Sequence, residues 1–295
     1  MKQSVKEPSA QPVKIKQLMN PNALRSVMAI LRDWVIILAV IGLSIKLDHW
    51  AVYLVAVWII GAFQFALGEA LLHEASHHNL FKTRWLNYAG ELFYGLPFGQ
   101  TVNQFQAEHM LHHTRLGSLE DHLVQECAEL GWFEPQVNAF WLWFIKPLAG
   151  IVGLYYLSSM TFKPWREGAK IMIFWVIVCA IFYTLDSLML LLLYWVIPFV
   201  WASSSFLYWS EVEDHINTRT GTRSNLSQGF NWITHNNGYH HLHHRYPNIP
   251  WHNLAVGYAQ YLPGQGDISQ GFFDTYQQLR EPLPADESAF PKVEV

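Results

Sequence analysis

Cysteine is nearly missing from this chain: of 295 residues, only Cys127 and Cys179 carry thiols. That excludes a disulfide framework and a multi-cysteine zinc site. Charge is scarce as well, at 14% of residues, where an ordinary soluble domain has about 25%. Positive charge is in deficit, 19 Lys and Arg against 23 Asp and Glu, so no nucleic-acid partner is expected. No internal repeat is visible, and low complexity is confined to the first residues. Against these absences stand an apolar content of 51%, 14 Trp, and 15 His of which 10 fall in three short clusters. Such apolar content excludes a disordered chain, and clustered metal-ligating side chains in an apolar chain read as a membrane metalloprotein. Residues 1–22 are polar, with Lys2, Lys6, Lys14, Lys16, Pro8, Pro12 and Pro21. They lack the apolar core of a cleavable signal and are expected to form a flexible cytosolic tail.

Four uncharged apolar runs occur, at 34–45, 50–68, 171–185 and 187–210. A spanning helix takes about 20 residues, so the second and fourth qualify as they stand. The first and third, at 12 and 15 residues, must each extend past a flanking charge. The first would take in Arg32 and Asp33, as a pair or as snorkelling charges. The links within each pair of runs are short, residues 46–49 in one and little more than Asp186 in the other, which predicts two hairpins. Of the 19 Lys and Arg, 18 lie on one side of that arrangement and only Lys46 on the other. The positive-inside rule makes the crowded side cytosolic, and all three histidine clusters lie on it. Residues 135–162 are a further apolar stretch. A fifth span there would separate the third cluster from the others, so the stretch is expected to lie in the interface or re-enter, as Trp141, Trp143 and Pro147 would suit.

The first cluster is His73-Glu-Ala-Ser-His77-His78, at the cytosolic end of the second run. The second is His109-Met-Leu-His112-His113, and the third is His240-His-Leu-His243-His244. On a helix, spacings of three and four place side chains on one face. His240, His243 and His244 are therefore expected to share one metal, with His241 about 100° away and turned aside. His78 is the least secure member of its cluster. One metal takes three or four protein ligands in a typical zinc site, so this many imidazoles suit two metals. Imidazole accepts zinc, copper, iron and nickel, and spacing alone does not choose among them. The expected fold is all-α: a multi-pass membrane protein with four transmembrane helices in two hairpins and a cytosolic helical cap holding a dimetal site.

These clusters resemble the histidine boxes of the membrane fatty acid desaturases and hydroxylases. The likeness covers roughly residues 50–255 and extends past the histidines. His73-Glu-Ala-Ser-His77-His78-Asn-Leu-Phe81-Lys-Thr-Arg84-Trp85-Leu-Asn87 is similar to the family's first box. Asn217-Thr-Arg219-Thr and Arg223-Ser-Asn225 resemble the lead-in of bacterial members. Gly238-Tyr239-His240 through Pro247 and Pro250 resembles the third box with its trailing prolines. The resemblance implies two iron ions that activate O2 to attack an unactivated C–H bond of a lipid, most of all fatty acyl desaturation. It also implies a further ligand just after the fourth span, where His215 stands. The implied ligand set is His73, His77, His78, His109, His112, His113, His215, His240, His243 and His244, within a domain spanning 23–260 and followed by a cytosolic tail, 261–295. Neutral imidazoles leave the metal charge uncompensated, so nearby carboxylates should orient the ring N–H groups. Glu69, Glu74, Glu108, Asp121, Glu211, Glu213 and Asp214 are placed for this. Glu69 lies in an otherwise apolar helix, where it is a partnered carboxylate or a snorkelling charge. Asn236 and Asn237 could reach a metal through water. His49 lies on the opposite side, His122 sits in a polar stretch, and His235 and His252 read as supporting or surface residues.

Other functions fit less of the sequence. His73-Glu74-x-x-His77 matches the HExxH of zinc metalloproteases, but such an enzyme has no use for two more clusters. A metal transporter would place ionisable residues at the bilayer midplane. Hydroxylases and carotenoid-ketolase-like oxygenases share the resemblance, and spacing does not separate them from desaturases. Neither a fused haem-binding His-Pro-Gly-Gly run nor a Gly-rich dinucleotide fingerprint is present. Electrons are therefore expected from a separate ferredoxin or cytochrome b5. The substrate should enter from the bilayer. Trp195, Trp201, Tyr208 and Trp209 could line its channel or serve as packing, and Gly61, Gly68, Ser203, Ser204 and Ser205 could leave room for a chain or admit close helix contact.

Overall fold

The computed structural model describes residues 13–134, 136–161, 164–281, 283–284 and 287–289. The tail residues 1–12 and 290–295 lie outside the described residues. The fold is mostly helical. Among the described residues, four helices are long and apolar enough to cross a membrane: Ala23–Leu47, Trp50–Ser76, Trp165–Thr184 and Leu188–His215. The first takes in Arg32 and Asp33, which pair at 2.6 Å with Asp33 fully buried. Asn22 starts this helix by accepting the Arg25 N–H at 3.1 Å. Asp48 ends it in the left-handed conformation, φ 42°, and His49 Nδ1 then caps the next helix through the Ala51 N–H. Two residues thus separate the first two spans, which pack along each other.

The second and fourth spans are not regular. The second widens into a π-helical turn at Ala66–Leu71, and the fourth does so at Leu192–Val196 and Phe199–Ser203. Pro198 adjoins the last of these and has no N–H to give the ladder. A π turn inserts a residue and re-aims the side chains beyond it, which here turns Glu69 and His73 toward the interior. Gly61 and Gly68 serve close contact. A Cβ at Gly61 would stand 2.3 Å from that of Ala202, and one at Gly68 would stand 2.6 Å from the Phe98 ring.

The apolar stretch within 135–162 is a broken pair, Trp141–Leu148 and Ile151–Ser159, bent by 74°. Gly150, at φ 76°, makes the corner. The stretch packs on the fourth span and absorbs its aromatic stripe: Trp201, Tyr208 and Trp209 donate to the carbonyls of Leu148, Leu142 and Trp143. Trp195 stacks on Trp34, with ring centroids 5.3 Å apart. The stripe is therefore packing rather than channel wall.

The mostly helical fold also carries one short strand pair, Arg223–Asn225 in parallel with Asp267–Ser269, and two segments expected to be tails need correction. Part of the segment 261–295 folds back through this pair and the helix Phe272–Arg280, where Gln278 accepts from Arg223 Nε at 2.9 Å. Residues 13–22 are docked, since Leu18 is buried with Leu242, Ile249 and Leu254 and the Val13 carbonyl accepts from Tyr261 at 2.6 Å. Polar composition hid both segments, because a few apolar residues such as Leu18 and Leu279 carry the contact.

Candidate metal centre

Nine histidines converge in two adjacent groups. His73, His77, His109, His113 and His243 form one, and His112, His215, His240 and His244 the other, with ligand atoms in each within 4.8 Å of one another. The rings of His113 and His244 stack across the boundary at 4.3 Å. The helix Val102–Arg115 carries the second cluster and starts with a capping box of Thr101 and Gln104. It sends His109 and His113 to one group and His112 to the other. The six-residue helix His240–Arg245 does the reverse, sending His240 and His244 to the second group and His243 to the first. The expectation that His240, His243 and His244 share one metal is therefore corrected. Successive helical residues diverge by about 100°, enough to set His243 and His244 on opposite sides of the boundary.

His215, at the end of the fourth span, meets His240 with Nε2 atoms 2.9 Å apart. His78 stands outside both groups, in the left-handed conformation at φ 60°, with its Nε2 within 2.9 Å of the Tyr88 hydroxyl and 3.2 Å of Arg84. The helix has ended by that residue, so the periodicity that joins His73 to His77 no longer applies. His241 points away: its Nδ1 lies 2.6 Å from the Thr222 hydroxyl and its ring rests on Gly266.

The surrounding residues divide clearly. Both oxygens of Asp121 lie 3.1 Å from His112 Nδ1. The Gly221 carbonyl lies 2.9 Å from His215 Nδ1, and Asp214 lies 3.6 Å from His240 Nδ1. Glu74 is 3.9 Å from His73 Nδ1 and is engaged elsewhere, accepting the Trp251 N–H at 2.8 Å. That bond ties the first box to the proline-rich end of the third, and Asn79 adds another through the Pro247 carbonyl. Glu213 accepts from Asn225 and Thr275. Asn236 does not face the centre, because its amide donates to the Trp251 carbonyl at 3.0 Å. Asn237 does, on the wall of a cavity of about 390 Å³ that also meets His73, His109, His112 and His215. Glu69, Glu108, Glu126 and Glu211 line that cavity rather than any imidazole N–H. His122 also lines it, at the start of the helix His122–Glu129, and joins neither group.

Two residues do more than the sequence reading gave them, Arg223 as part of a lead-in motif and His235 as a supporting or surface residue. His235 is buried and its Nε2 sits 2.7 Å from Asp33, joining the turn before the third box to the first span. Arg223, fully buried, gathers the carbonyls of Glu213, Ile216 and Asn217 at the end of the fourth span.

The donor set suits metal. Burial and the neighbouring imidazoles hold His77 down at about 3 and His113 at about 4, and push His109, His240, His243 and His244 well below the ordinary range. Such rings are neutral at physiological pH, the state that ligates. Nε2 of His77 and of His244 are buried and meet no hydrogen-bond partner among the described residues. A helical protein with four apolar spans and this centre is an integral membrane protein built around histidine-rich metal-binding groups. The chain belongs to the fatty acid desaturase family, whose sequence profile matches residues 48–267. It is also similar to the dihydrorhizobitoxine desaturase of Bradyrhizobium elkanii, at 26% identity over 319 aligned residues covering 90% of this chain and 88% of that protein. The protein is accordingly a membrane oxidoreductase.

Proposed function

We infer that this protein is an O2-dependent di-iron desaturase that removes two hydrogens from adjacent carbons of a chain entering from the bilayer. The observation that carries the reading is the pair of adjacent all-histidine groups, five and four residues, opening on one cavity. Two irons, when bound, supply the redox chemistry that lets O2 take hydrogen from an unactivated C–H bond. The two hydrogens taken from the substrate, with their two electrons and two protons, two more electrons from an external ferredoxin or cytochrome b5, and two further protons reduce O2 to two waters. The chain's own residues prepare this. Asp121 and the Gly221 carbonyl orient His112 and His215 through Nδ1, so that each would ligate through Nε2. Phe65, Phe98 and Phe199 keep the cavity apolar on one side and limit water. Charge distribution supports cytosolic placement of the centre and of both termini, with 18 of 19 basic residues on that side.

The test is purified full-length protein assayed for metal and product. Iron near two per polypeptide, one per histidine group, and a new double bond formed only with O2 and reduced donor are expected. Full turnover under strict anaerobiosis or with zinc alone would remove the reading, and a hydroxyl or carbonyl product would move it to an oxygen-inserting enzyme. A cysteine probe at position 48, in a variant lacking Cys127 and Cys179, should be labelled from outside the cell, and one at position 219 should not.

A further inference from the structure

The cavity beside the histidine groups has two kinds of lining. Phe65, Phe199, Val200 and Leu207 are apolar. Glu69, Glu108, Glu126 and Glu211, contributed by four different helices, are acidic, with Glu69 midway between Phe65 and His73 and Glu211 midway between Leu207 and His215 along their helices. Among the described residues no Lys or Arg lines the cavity, and no hydrogen bond or ion pair reaches any of the four carboxylates. Nor do they converge as a chelate: among the described residues, ligand atoms gather within 4.8 Å only in the two histidine groups. A second observation points to a missing donor. Asp214, only 3% exposed and on the same cavity, has its Oδ1 buried and accepting from no described group. Oε1 of Gln100 on that cavity is in the same condition.

Four carboxylates with no cation among the described lining residues are completed by a ligand that brings N–H groups and positive charge. An anionic headgroup, whether carboxylate or phosphate, finds no cationic partner among the described lining residues. We propose that the cavity binds a substrate carrying a protonated amine, its ammonium against the glutamates and its carbon skeleton against the apolar lining. The volume, about 390 Å³, falls at the small end of the roughly 300–1,000 Å³ typical of small-molecule sites. This inference rests on the desaturase reading above and specifies its substrate class.

The experiment is calorimetric titration of the iron-loaded, full-length protein with hexylammonium, hexanoate and hexanol, three ligands of one chain length. Hexylammonium is expected to bind at least 10-fold more tightly than either of the others, by analogy with charge-assisted pairing. Glu126→Gln and Glu211→Gln should each erode that preference at least threefold, with iron per polypeptide unchanged in Glu126→Gln. Hexanoate or hexanol binding as tightly as the amine overturns the proposal, and so does an intact preference in both variants. The comparison of ligands on the unaltered protein decides the matter even where a variant does not fold. Iron content and product formation are read separately. A protein with two irons and O2-dependent product but no amine preference overturns the substrate class and leaves the desaturase reading standing.

Discussion

Asp121 holds His112 from one side and begins a helix on the other. Both its oxygens lie 3.1 Å from His112 Nδ1, and Oδ1 also accepts the Leu123 N–H at 3.1 Å. Burial alone would raise this carboxyl. The hydrogen bond and charge of His112 and the N–H groups of Gly117 and Leu123 outweigh it and hold the group below the usual range. The side chain therefore stays ionised where an imidazole needs an acceptor.

Asp121→Asn should keep the helix start, since Asn caps as well as Asp, yet lose the charge that orients His112. Metal affinity is expected to fall about 10–100-fold, measured by iron competition with a chelator. Unchanged affinity would show that His112 is oriented by other means.

Removing histidines one at a time should sort them by position. His243→Ala and His240→Ala, each inside a group, should lose iron. His241→Ala and His78→Ala, both outside, should retain most of it. The measurement is iron per polypeptide at equal helicity. Equal loss in His78→Ala and His243→Ala would place His78 among the ligands.

Acid should destabilise the metal-free protein in a defined window. An unfolded histidine takes its proton near 6.5, whereas the folded state holds His113 at about 4 and His77 at about 3. Below about 6.5 the unfolded chain thus binds more protons, and stability falls with pH. Stability is fully present above about pH 6.5 and is lost as pH drops toward the folded values. Thermal unfolding followed between pH 7.5 and pH 4 reads this directly (the pH limits span the about 6.5 reference value). A flat profile would mean that the imidazoles are not packed as a neutral cluster.

Asp33→Ala should destabilise the fold without touching the centre. It strands Arg32 and leaves His235 without its 2.7 Å partner. Breaking a buried ion pair costs about 3–5 kcal/mol, and about 3 is expected because Arg32 keeps 25% exposure. Denaturant unfolding in detergent measures it, with Asp33→Asn recovering part of the loss. A change under about 0.5 kcal/mol, ordinary for a surface site, would reduce the network to a bystander.

Much of the molecule was legible from its residues. Apolar runs flanked by Asp33, Lys46, Asp48 and Asp186 located the spans, because the bilayer demands length and apolarity whatever the packing. The histidine clusters announced the centre, because imidazoles at helical spacing have few other uses. The helical angle turned His241 aside correctly, because that depends on the local helix alone. Local periodicity could not show that Leu18 and Thr275 return to the core, since their partners lie far along the chain.

What the sequence determined by itself was the chemistry of the centre, imidazoles clustered at helical spacing. What only the tertiary structure decided was their partition. A helix specifies angles about its own axis, and His243 and His244 diverge by about 100° in any packing. Whether that divergence spreads around one site or splits between two depends on which neighbours stand on either side. Here His73 approaches His243 to 2.9 Å, and His215 approaches His240 to 2.9 Å. These neighbours arrive from different spans, so one short helix serves both groups.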